Sequence, residues 1–105
     1  MKTLQQAIDL LVEQGEPKAI VRFLVENDFG DDVIDYFECG RCSTCPVARF
    51  LQCHTGLDIM VRTYAVSSDE LQFLPQTLLD VVKCFDKVIT PIQSLDHPFF
   101  LEEQP

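Results

Sequence analysis

The sequence predicts an α+β domain dominated by helices: about four helices, a small β-hairpin over about 59–74, a long C-terminal helix over about 75–90, and an apolar tail. Three observations predict it. Apolar residues recur at helical spacing behind N-terminal capping signals, the period shortens after Ile59, and Pro75 restores the helical period. Residues 1–105 read as one domain, with 91–105 as its tail or strap; hydrophobic residues make up 47% of the chain, enough for a packed core.

Thr3 and Gln6 form a capping-box pair, and Leu4, Ala7, Ile8, Leu11 and Val12 follow at core spacing, so the first helix starts at Leu4 and stops at Gly15. Pro17 suits the first turn of a second helix with Ile20, Phe23 and Leu24 inward, ending near Asn27. So short a link makes a helical hairpin. A third, shorter helix is expected from Asp31, with Val33, Ile34 and Phe37 inward, ending by Gly40; Asp31 and Asp32 suit the positive end of its dipole. Pro46 opens a fourth helix through about His54, with Val47, Phe50, Leu51 and His54 on one side, and Gly56 closes it.

Ile59 to Val66 is rich in β-branched and apolar residues and reads as a strand. Ser67, Ser68 and Asp69 turn the chain, and Leu71 and Phe73 alternate with Gln72 in a returning strand. A helix through Asp58–Val66 is the competing reading, because short apolar runs are ambiguous. Pro75 begins the last strong helix, with Leu78, Val82, Phe85 and Ile89 inward, and Pro91 ends it. The tail carries Leu95, Phe99, Phe100 and Leu101, and either straps across the core or docks on a partner.

Seventeen acidic residues against eight basic give a net charge of −9. Nucleic-acid affinity rests largely on Lys and Arg displacing counterions, so this balance argues against a nucleic-acid partner. No apolar run approaches the roughly 18–20 residues that cross a bilayer, so no membrane role is expected. The polar start of the chain does not read as a signal peptide, which predicts a cytoplasmic protein. Between Arg22 and Arg41 there is no basic residue, while Glu26, Asp28, Asp31, Asp32, Asp35 and Glu38 fall there. That stretch is either a face for a basic partner or a mimic of nucleic acid or, more commonly, a solvated face.

Five cysteines, an odd number without a secretion signal, point to reduced thiols or metal ligands rather than a disulfide scaffold. Cys39, Cys42 and Cys45 resemble the first three cysteines of the bacterial ferredoxin run C-x-x-C-x-x-C-x-x-x-C-P, but here proline follows the third and Cys53 comes eight residues later. The piece Cys42-Ser-Thr-Cys45-Pro46-Val47 is similar to the iron–sulfur WhiB-like regulators, with the same departure in spacing. Both likenesses imply an iron–sulfur centre, and neither extends far enough to place the chain in a family.

Geometry limits such a site. In a regular helix after Pro46, Cys45 and Cys53 lie about 12 Å apart along the axis, at ~1.5 Å per residue. Two thiolates on one zinc ion lie within roughly 4.6 Å of each other, twice the bond length. A site on Cys39, Cys42 and Cys45 would therefore need Cys84 or His97 as its fourth ligand, and would take Cys53 only if the helix is broken. The leading expectation is that the cysteines are buried small hydrophobes and that no cofactor is bound, with zinc or an iron–sulfur cluster as the alternative. Thiol redox chemistry ranks third: Arg41, Arg49 and a helix N-terminus at Cys45 would favour a thiolate, but no thioredoxin-like strand–helix frame surrounds it.

Cys53 and His54, adjacent on a helix, point about 100° apart and do not make a catalytic dyad. No phosphate-binding glycine loop, nucleophile elbow or metalloprotease motif occurs, and Asp31, Asp32 and Asp35 lack calcium-loop spacing. The function expected is therefore non-catalytic: a small regulatory or adaptor module that binds a protein partner, with a homo-oligomer as a further option. Its expected contacts are the acidic stretch, with Asp28, Asp31, Asp32 and Asp35, and the tail around Phe99 and Phe100.

Overall fold

In the computed structural model, residues 1–30, 45–67, 71–87 and 92–101 are described. They form a small α+β fold with five helices and a three-stranded antiparallel sheet. The order is α1 (Leu4–Val12), α2 (Pro17–Glu26), α3 (Pro46–Thr55), β1 (Met60–Val61), β2 (Tyr64–Val66), β3 (Leu71–Phe73), α4 (Gln76–Lys87) and α5 (Pro98–Leu101). The helix expected from Asp31 to Gly40 lies outside the described residues.

The start of α1 follows from its capping box. The Thr3 hydroxyl accepts from the Gln6 N–H at 3.1 Å, and the Gln6 side chain accepts from the Thr3 N–H at 2.9 Å. Leu4, Ala7, Ile8 and Leu11 are buried as expected, but Val12, on the last residue of the helix, is 36% exposed. In α2 the buried stripe is Ile20, Val21, Leu24 and Val25, with Phe23 at its half-buried margin.

The end of α2 is a Schellman motif. The Phe29 N–H donates to the Leu24 carbonyl at 2.8 Å and the Asp28 N–H to the Val25 carbonyl at 3.1 Å. This geometry forces Asp28 to φ 67°, in the left-handed region. The chain then runs into Gly30, where a Cβ would lie 3.0 Å from both the Gln93 Cα and the Ile92 oxygen. Glycine is what lets the tail cross so close to the end of α2, and the Arg49 guanidinium donates to the Gly30 carbonyl.

Pro46 opens α3 at its first position, with Cys45 as N-cap, and Gly56 closes it at φ 73°. Pro46, Val47, Ala48, Phe50 and Leu51 are buried, whereas His54 is half-buried and stacks on Phe50 with ring centroids 4.1 Å apart.

The single strand expected from Ile59 to Val66 is corrected to two. The chain folds back at the exposed pair Arg62–Thr63, the Arg62 N–H donates to the Tyr64 carbonyl at 2.9 Å, and Val61 pairs with Ala65. A polar pair in the middle of an apolar run supplies a turn that a strand-length reading passes over. The sheet order is β1-β2-β3, so the expected hairpin becomes a meander, and the competing helix does not form.

The long C-terminal helix is likewise not shown. The described α4 has 12 residues, Ile89 and the rest of 88–91 fall outside the description, and a separate short helix, α5, follows. Leu78, Val81 and Phe85 are the buried side chains among those described in α4, with Val82 packed at the margin, so the helix is turned so that Val81 rather than Val82 faces fully inward. It lies against α2, α3 and α1, the main helix–helix contact being α2 with α4. Ile92 and Phe100 of the tail enter the same core. No helix among the described residues is long and apolar enough to cross a membrane.

Candidate functional site

The residues expected to carry chemistry do not converge among the described part of the chain. Cys39, Cys42, Asp31, Asp32 and Asp35 lie outside it. Cys45 is 5% exposed and its sulfur accepts the Ala48 N–H at 3.4 Å, capping α3. Cys53 is exposed near the opposite end of the same regular helix, which keeps the two sulfurs from sharing one ion. Cys84 packs half-buried on α4, and no disulfide joins Cys45, Cys53 and Cys84. His97 turns its Nδ1 to the Phe99 N–H at 3.0 Å, capping the short α5. Among the described residues no three His, Cys, Asp or Glu side chains are placed to hold a metal ion.

The expected contact residues separate as well. Asp28 is exposed at the end of α2, but Phe100 is 3% exposed and Phe99 packs beside it, with ring centroids 5.2 Å apart. Lys18 and Arg22, one turn apart on α2, lie over the two rings at 5.3 and 5.4 Å from their centroids. The tail's aromatic area is turned toward α2.

An open groove of about 740 Å³ runs between α1 and α3, lined among others by Lys2, Asp9, Glu13, Cys53 and His54. Cys53 and His54 thus share a groove, but the imidazole is committed to the Phe50 stack, and the Lys2, Asp9 and Glu13 side chains are exposed. Exposed charges of both signs give the groove no preorganised chemistry.

The feature that stands out is the sheet. Its register places Met60 beside Val66 and Val66 beside Leu71, with Tyr64 beside Phe73, so these five apolar side chains share one face. On the opposite face Val61 and Ala65 are buried in the core. The outward face is open: Met60 is 47%, Leu71 57% and Phe73 71% exposed, while Tyr64 and Val66 are half-buried. Tyr64 and Phe73 meet edge to face with ring centroids 5.9 Å apart. Single exposed apolar residues are ordinary, whereas these lie together on one face of the sheet.

Leu71 and Phe73 also lie on an outer edge of the sheet, which no other described strand pairs. The Leu74 N–H donates to the Thr63 carbonyl at 3.4 Å, and antiparallel alternation makes Ala65–Gln72 the next hydrogen-bonded pair. The backbone N–H and C=O of Leu71 and Phe73 therefore point away from β2. Sequence reasoning found the alternation at Leu71-Gln72-Phe73 but not its outward sense; the one available signal was that β2, Tyr64-Ala65-Val66, is apolar on both faces.

No protein-family model matches the chain, nor does any curated protein or any solved structure.

Proposed function

We propose that the chain is a non-catalytic interaction module that docks a partner protein on the outward face of its sheet. The observation that carries this reading is the exposure of Met60, Leu71 and Phe73 together on one face of a sheet whose other face is core. Apolar side chains held open to water at fixed spacing favour association, because covering them removes apolar area from water. The tail is a weaker docking candidate than its sequence suggested, since Phe100 is already covered. A cytoplasmic location belongs to the same proposal.

The test is the double substitution Leu71→Ser and Phe73→Ser. Cross-linking followed by mass spectrometry is expected to recover a specific partner with the native chain and to lose it with the variant, while the thermal midpoint stays unchanged. Recovery of the same partner by both chains would sink the proposal.

A second reading keeps a zinc or iron–sulfur centre on Cys39, Cys42 and Cys45. What favours it is the Ala48 N–H aimed at the Cys45 sulfur, since a thiolate ligand there would be supported by that hydrogen bond and the helix dipole. Visible absorbance and elemental analysis of anaerobically purified protein separate the two readings.

A further inference from the structure

We infer that the outer edge of β3, unpaired among the described residues, receives an extended segment of the partner as a fourth, antiparallel strand. That segment carries apolar side chains two residues apart and Lys or Arg between them. The inference rests on the docking reading above and specifies its occupant.

The juxtaposition that carries it is at Leu71 and Phe73. Their side chains are the two most exposed on the apolar face, and their backbone groups are the ones directed off the sheet. No hydrogen bond is made from that edge to any described residue. An added antiparallel strand pairs its residues with Leu71 and Phe73 directly, and residues so paired place their side chains on the same face. The partner's apolar residues would thus extend the row that Leu71 and Phe73 begin, while its backbone completes theirs. Strand addition of this kind draws affinity from main-chain hydrogen bonds and selectivity from alternate side chains.

Charge selects the kind of partner. Between α3 and α4 the chain carries Asp58, Asp69 and Glu70 against Arg62 alone, and the whole chain is at −9. A basic segment is attracted to so acidic a chain, and a second copy of the chain is repelled. Area agrees. Five side chains, two of them already half-buried, fall short of the roughly 800 Å² that each partner of a stable dimer covers, but suit a single strand.

The experiment uses the full chain, labelled with ¹⁵N, and three capped nine-residue peptides. One alternates valine and lysine, one alternates valine and glutamate, and the third is the first with every valine N-methylated. The Val/Lys peptide is expected to shift the Leu71 and Phe73 amides and to bind at least tenfold more tightly than either of the others. Equal binding of the N-methylated peptide removes strand addition, and equal binding of the Val/Glu peptide removes the charge selection. Shifts at β3 that appear on concentrating the chain alone make the occupant a second copy and overturn the inference. Loss of the cross-linked partner in the Leu71→Ser, Phe73→Ser chain, with no peptide shifting either amide, rejects the added strand while leaving the docking face intact.

Discussion

The guanidinium of Arg22 lies over the ring of Phe100, 5.4 Å from its centroid, and thereby covers the one tail aromatic that enters the core. Phe100→Ala is expected to destabilise the fold by about 3 kcal/mol, the scale of a buried Phe truncation. Phe99→Ala and Lys18→Ala, acting on the half-buried ring and the half-buried lysine over it, should each cost under about 1 kcal/mol. Urea unfolding of the three variants checks this order, and a Phe100→Ala chain as stable as the native one would refute the strap.

Asp28 holds a left-handed conformation, φ 67°, at a helix end where its negative charge also meets the negative end of the dipole. Asp28→Gly removes both costs, and offsets them only in part through the greater freedom of the unfolded chain. A stabilisation of up to about 1 kcal/mol is expected. Asp28→Val, β-branched at positive φ, should lower the denaturation midpoint instead.

Two glycines should respond to alanine for different reasons. At Gly30 the new Cβ would meet backbone of residues 92 and 93 at 3.0 Å, which cannot swing aside without moving the tail. At Gly56 it would meet the Met1 Sδ at 2.5 Å, the movable end of an exposed side chain, so the cost there comes from φ 73°. Gly30→Ala is expected to lose about 1–3 kcal/mol, as overpacking does. Gly56→Ala should lose about 1 kcal/mol, and truncating Met1 to Ala should restore little of it. Calorimetry of the single and double variants would show it.

The thiols of α3 should label at very different rates. Cys53 is exposed, while Cys45 is buried and engaged as the helix cap. Native alkylation followed by peptide mapping should modify Cys53 at least a hundredfold faster, with the difference vanishing in denaturant. Comparable native rates would mean that the first turn of α3 opens readily. Replacing Cys45 by Val leaves the Ala48 N–H without its acceptor and should cost about 1–2 kcal/mol.

The legible part of this fold is local. Thr3, Gln6, Pro17, Pro46 and Gly56 announce helix ends through chemistry confined to a few neighbouring residues, and the structure starts α1, α2 and α3 and ends α3 where those residues place them, while α1 ends at Val12, before Gly15. The spacing of Ile20 and Leu24, or of Val47 and Leu51, likewise names a buried stripe without reference to the rest of the chain. Periods are less informative where a segment is apolar throughout. Between Ile59 and Val66 they concealed the turn at Arg62–Thr63, and in α4 they mistook Val82 for Val81 as the residue facing fully inward.

By itself, then, the sequence determined where the two N-terminal helices begin, the capped helix that keeps Cys45 and Cys53 apart, and the acidic balance that sets the electrostatics, but not the expected helical hairpin, since α1 packs on α3 and α2 on α4. Tertiary structure alone decided that Phe100 turns into the core and that Leu71 and Phe73 turn out of it. Both segments are short, apolar and alternating enough to bury either side. Which side is covered depends on the helices that reach it from distant parts of the chain, and no local pattern carries that information.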